Sequence, residues 1–431
     1  MTGAATYDGV LQQQFDALTT LLEDDHAEVR AVAAKGSCRI LSVYWEMVPR
    51  DTARALLARV AGRLACDASA PLVRLAAVEG LALLLECPES HGVLNAMLPG
   101  VWRLIHDTNK KVRVAFVRLL EQVKNARSIK YYHVVNVDNL LARLAEDHLK
   151  CPASAAGLSK LILNSYFPSG AGVAGATQVG RCLTLLEQDQ GAATAFYSRL
   201  HQSAGVPSAA KMLAMLVRTA LYAARTSEED DVDDEEDDEI LPENDKSKQQ
   251  RKGKRKGVGE RGGGRGGGGC VAGGCVLRAS DAKMMSAVLN LIATIWESIL
   301  PALEKAANEP SLALIQQTVT GEALALLHWR FSRSDERCRA AFMRLAGLAG
   351  GDLAPEMLED VVVEMLSLPE TAPPSVYGPT VDLLCAWGQH EHLMGAILHS
   401  LRTAFIAASA TSERSSMSTS SPANGKKVCR Q

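Results

Sequence analysis

Three times near the start of this chain an Asp, a short polar stretch and Val-Arg are followed by small apolar residues at helical spacing. No other feature narrows the fold as much. The copies are DDHAEVRAVAAKGSCRIL around Val29 and Arg30, DASAPLVRLAAVEGLALLL around Val73 and Arg74, and HDTNKKVRVAFVRLLEQV around Val112 and Arg113. Val29, Val73 and Val112 lie 44 and 39 residues apart, close to the roughly 40 to 47 residue period at which helix pairs stack into an array. In the third copy Val112, Ala115, Phe116, Leu119, Leu120 and Val123 share one helical stripe, and Asp107 with Asn109 supplies turn and cap chemistry before it. Such a stripe must be covered by neighbouring helices. Each copy is therefore read as the second helix of a pair that packs on the pairs beside it.

An Asp followed by Val-Arg at the start of a second helix resembles the HEAT repeat. The fold class expected is all-α, an α-solenoid of HEAT repeats interrupted by a disordered charged and Gly-rich linker. Composition agrees: 47% of the 431 residues are hydrophobic and only 5% aromatic, as suits helices stacked on helices. The first repeat runs from Tyr7 to Val48, with Phe15, Leu18, Leu21 and Leu22 as one stripe and Val29, Ala33, Gly36, Ile40 and Tyr44 as the other. The second opens at Asp51 with Ala53, Leu56, Leu57, Val60 and Leu64, and Pro71 stands at a tolerated position. In the third, Pro99 is expected to kink the first helix. A fourth places Leu140, Leu141 and Leu144 before a turn at Glu146 and Asp147, then Leu158, Leu161 and Ile162.

Four segments are expected. Residues 1–225 form the solenoid; 226–280 form a disordered linker, acidic from Glu228 to Glu239 and then basic and Gly-rich to Arg265; 281–408 resume HEAT-like helices; and 409–431 are a disordered Ser/Thr-rich tail. In the second helical region SDERCRAAFMRLAGLA puts Cys338 and Arg339 in the place of Val-Arg. The ten cysteines are scattered singly, which fits reduced thiols inside a cell. No secretory segment or apolar run of membrane length stands out, so the chain reads as soluble and intracellular, with no membrane partner.

The residues give no case for an enzyme and imply no cofactor. The glycine run from Arg261 to Gly274 lacks the Gly-Lys-Ser/Thr ending and the strand and helix that position a phosphate loop. It reads as a flexible linker, with arginine-glycine contact to RNA as the alternative. Cys270 and Cys275 have no second ligand pair for zinc, and His390 and His392 point to different helical faces, away from a shared site with His399.

Charge is concentrated in one place. Between Arg103 and Lys130 there are eight Lys or Arg residues against two acids. Lys110 and Lys111 fall at the inter-helix turn, Arg113, Arg118 and Lys124 at exposed positions of the second helix, and Arg127 and Lys130 just beyond it. Lys110, Lys111, Arg118, Lys124, Arg127 and Lys130 are the candidate contacts to a phosphate backbone. Arg30, Arg74 and Arg113 are read instead as partners of the recurring aspartates, holding adjacent repeats in line.

The phrases ILSVYWEMVP (from Ile40), HDTNKKVRVAFVRLLEQVKNAR (from His106), LARLAEDH (from Leu141), LILNSYFP (from Leu161) and RCLTLLEQDQGAATAFYSRL (from Arg181) are more specific than a generic repeat array. They resemble the non-SMC HEAT-repeat subunit of the G type in condensin II. The match covers about Asp8 to Ala224, and the chain looks like an internal portion or a shortened form. The resemblance implies a non-catalytic subunit that binds the kleisin and helps grip double-stranded DNA during mitotic chromosome condensation. Indirect partners are then the structural-maintenance-of-chromosomes ATPase pair and the other HEAT subunit, and the location is the nucleus and chromosomes; Lys254, Arg255 and Lys256 are compatible with nuclear import. The alternatives are a HEAT-repeat transport or assembly adaptor, and an RNA-associated protein acting through its basic Gly-rich linker.

Overall fold

The computed structural model describes residues 2–126, 128–170, 172–233, 277–332, 335–351, 355–367 and 373–418. Among them every regular element is a helix. The chain divides into two units. The first takes in the described residues within 2–212 and 298–308, and the second those within 213–233, 277–297 and 309–418.

In the first unit the helices are α1 (Thr2–Leu22), α2 (Ala27–Tyr44), α3 (Arg50–Gly62), α4 (Pro71–Leu84), α5 (His91–Met97), α6 (Lys110–Asn125), the short α7 (Tyr131–Val134), α8 (Val137–Lys150), α9 (Pro152–Tyr166), α10 (Gly175–Gln188), α11 (Gln190–Tyr197) and α12 (Leu200–Ala204). The second helices of successive pairs lie side by side, α2 on α4, α4 on α6 and α6 on α9. This is HEAT-type stacking, in which each repeat completes its core only against its neighbours. Close approach is built in. A side chain at Gly80 of α4 would meet the Cys38 sulfur of α2 at 2.9 Å, and one at Gly157 of α9 would meet Val117 of α6 at 2.6 Å.

The expected stripe of α6 is buried at Val112, Phe116, Leu119, Leu120 and Val123, with Ala115 at its margin. That of α2 is out of phase: Ala34, Cys38 and Leu41 are fully buried while Tyr44 is exposed. The neighbour α4 sets the phase, and it approaches the small Ala34 and Cys38 side. Pro99 does not kink a continuous helix. The α-helix ends at Met97, and Leu98–His106 continues as a tighter 3₁₀ segment, which tolerates a proline at its start because that N–H needs no partner. Asp147 lies in the last turn of α8 and is fully buried, so the fourth repeat turns later than the expected Glu146 and Asp147.

A long helix, α13 (Val206–Asp233), continues past Arg225, the expected end of the first helical region. The second unit contains much of α14 (Ala282–Leu303), then α15 (Glu309–Thr318), α16 (Gly321–Leu327), α17 (Glu336–Ala349), α18 (Pro355–Ser367), α19 (Pro374–Ala386) and α20 (His390–Ser418). Asp281 precedes α14 and accepts from the Met284 amide at 2.9 Å, and Asp335 caps α17. One expectation fails here. The 22 residues of α14 are long and apolar enough to cross a membrane by length and composition, although 67% of its most apolar window is buried in the protein. Most of the expected linker, residues 234–276 with the glycine run, Cys270, Cys275 and Lys254 to Lys256, lies outside the described residues, as do residues 419–431 of the expected tail.

Candidate nucleic-acid interface

A chain of arginine and aspartate pairs organises the first unit, and it decides which cations are left for a ligand. Each arginine is the fourth residue of a second helix and reaches the next repeat. Arg30 donates from Nε and Nη2 to Asp67 at 3.2 and 2.9 Å, Arg74 to Asp107 at 2.6 and 2.9 Å, and Arg113 to Asp147 at 3.0 and 2.9 Å. The remaining nitrogen of each turns back to a carbonyl of its own repeat, that of Asp24, Asp67 and Asp107 respectively, at 2.7 Å in every case. The Arg74 and Arg113 pairs are bidentate forks, which fix both distance and angle between neighbours, whereas both Arg30 donors share Asp67 Oδ2, because Oδ1 accepts from Ser69 and Ala70.

The aspartates also shape their turns. Asp67 accepts from the Ser69 and Ala70 amides and Asp107 from the Asn109 amide. Burial works against the Asp67 carboxylate, but bonds from Ser69, Ala70 and Arg30 outweigh it and hold the carboxyl below the usual range. For Arg113 burial is the largest single influence and opposes the charge, yet Asp147 leaves the guanidinium more firmly protonated than usual. Arg113, counted among the exposed positions of α6 but read as the partner of a recurring aspartate, is thus a buried strut with 5% of its surface open.

Four of the six candidate phosphate contacts are exposed: Lys110, Lys111, Arg118 and Lys130. Asn109 caps α6 by accepting from the Lys111 amide at 2.9 Å, which starts the helix with two lysines at its first turn. Arg118 follows Lys111 by seven residues, two helical turns, so both lie on one face about 10 Å apart. Their charged groups have no partner among the described residues. Lys124 belongs elsewhere. Its ammonium donates to the Lys160 and Leu161 carbonyls of α9 at 3.2 and 2.9 Å, and burial, aided by Lys160 against the pull of Glu121, holds it below the usual lysine value. Arg127 lies outside the described residues.

Two features were not read from the sequence. Beside α6 the outer faces of α2 and α4 are apolar: Val32 and Leu72, 74% and 49% exposed, flank an open groove of about 710 Å³ also lined by Gly36, Leu75 and Leu83. The Lys35–Glu79 pair crosses it at 2.8 Å. The signal was present as apolar residues off the buried stripe of two consecutive second helices. The other is a ring cluster at α7, described below. Among the described residues no group of three or more His, Cys, Asp or Glu is placed to hold a metal ion.

No family model matches the chain. It is 31% identical over 395 residues to "Condensin-2 complex subunit G2" of Xenopus laevis, 29% over 395 residues to that of Homo sapiens and 27% over 392 residues to that of Danio rerio. The chain is thus similar to one part of the condensin-2 G2 subunits. The alignments cover 90%, 91% and 90% of this chain, well beyond the stretch from Asp8 to Ala224 where the resemblance was read, and 31% of each relative. The chain therefore spans about a third of the length of the relatives it matches. A crystal structure of importin beta aligns with 13% identity and a TM-score of 0.33 over 91% of this chain and 47% of that one, a likeness too loose to carry an argument.

Proposed function

We propose that the chain acts as a non-catalytic HEAT-repeat component of a condensin II complex, holding the kleisin and gripping double-stranded DNA as mitotic chromosomes condense. The observation that carries this reading is the cationic face of α6, Lys110, Lys111 and Arg118, exposed and unpaired among the described residues, in a chain homologous to condensin-2 G2 subunits over nine tenths of its length. Cations that stabilise nothing within the fold are free to meet phosphates, and such contacts position a duplex without reading its sequence. The apolar groove of α2 and α4 suits a peptide instead, and kleisin is the partner placed there. Through kleisin the chain would join the ATPase pair and the other HEAT subunit, in the nucleus and on chromosomes.

The test is recovery of partners by the whole chain from mitotic extract. Kleisin should be retained, and Val32→Glu with Leu72→Glu should reduce its recovery severalfold while duplex binding persists. Recovery of transport cargo or RNA-bound proteins without kleisin would contradict the reading.

A further inference from the structure

The connection from α6 to α8 carries aromatic rings that the core does not use. Its anchors are Ile129, Val134 and Val135, all buried. Between them α7 displays Tyr132, 49% exposed, and His133, also exposed, with Lys130 exposed one turn earlier. The rings are ordered against one another. Tyr131 and Tyr132 meet edge to face at 5.6 Å, and Tyr132 and His133 at 4.9 Å and 90°. From Gln122 to Val137 the sequence contains no acid, the nearest along the chain being Glu121 and Asp138.

We propose that Lys130, Tyr132 and His133 form a landing site for single-stranded nucleic acid, an unpaired base stacking on the exposed rings while Lys130 meets the adjoining phosphate. A buried-anchor turn that leaves two large rings in water has the makings of a stacking platform, because every base offers a π-face and stacking needs no particular sequence. A duplex keeps its bases stacked internally and presents no such face. The site extends the nucleic-acid reading of α6, and it separates from that reading by ligand: the α6 cations serve duplex phosphates, the α7 rings serve unpaired bases.

The experiment uses the full chain and two probes, an oligothymidylate carrying 5-iodouracil and a duplex of the same length. Tyr132→Ala with His133→Ala should lower affinity for the single strand by at least about fivefold, the lower end of what one stacked base contributes, and change duplex affinity by less than about twofold. Tyr132→Phe, which keeps a ring, should retain single-strand affinity, and circular dichroism should show the fold unchanged. Photocrosslinking should place an adduct on Tyr132 or His133. An equal loss on both probes, no loss on the single strand, or adducts confined to other segments would overturn the proposal. Failure of the α6 reading would appear separately, as duplex affinity indifferent to Lys110→Ala and Lys111→Ala.

Discussion

Lys111 and Arg113 stand two residues apart on one helix, carry the same charge and meet opposite fates. Arg113 is sunk between repeats and held by Asp147 at 2.9 Å, whereas Lys111 projects into solvent with no partner for its ammonium among the described residues. The same division runs along the first unit. Arg30, Arg74 and Arg113 form three rungs of a ladder, while Lys110, Lys111, Arg118 and Lys130 line its outside. A count of cations along the sequence merges the two groups. Only position relative to the next repeat separates charge that builds the array from charge available to a ligand.

The difference predicts two kinds of mutant. The largest effect should come from Asp147→Ala, which leaves Arg113 buried without a counter-charge, a loss of about 3 to 5 kcal/mol. Urea denaturation should record it, and the protein that remains folded should bind duplex DNA as before. A similar loss of stability from Lys111→Ala would erase the distinction.

A smaller effect concerns pH. The Asp67 carboxyl is held below its usual range in the folded chain, so the stability it contributes is present above the ordinary carboxylate range and is lost as pH falls through the depressed value. Asp67→Asn should therefore lower the urea midpoint most at neutral pH and least in acid. A mutant whose deficit is constant with pH would place the contribution of Asp67 in its shape alone.

The smallest effect belongs to the pair on the exposed side of the array. Lys35 and Glu79 are about half exposed, at 53% and 43%, and a double-mutant cycle should give them about 1 kcal/mol or less. A coupling as large as that of the Arg113 pair would show that exposure does not govern these charges.

Much of this was legible in the sequence because helical periodicity and the Asp, Val-Arg recurrence follow from local chemistry. The three stacked repeats and the pairing of Arg30, Arg74 and Arg113 with aspartates could be read from spacing. Phase and partner choice could not. The buried face of α2 shifted because Gly80 admits Cys38 and Ala34, and Lys124 left the cationic strip because α9 brings two carbonyls to its ammonium. Asp147 looked like a turn residue, yet it lies within α8, where the fork of Arg113 reaches it. The rings of α7 were overlooked since Tyr131 and Tyr132 fall between periodic segments, where apolar spacing has nothing to say.

The account stands most directly on the salt dependence of duplex binding by the whole chain. Each phosphate contact adds about 0.9 to the magnitude of the slope of log affinity against log salt. Replacing Lys110, Lys111 and Arg118 by Ala should therefore make the slope shallower by about two to three and weaken unrelated DNA sequences alike, with helix content unchanged by circular dichroism. An unchanged slope in a folded triple mutant would return these residues to ordinary surface charge and contradict the assignment of α6 as the face that meets DNA.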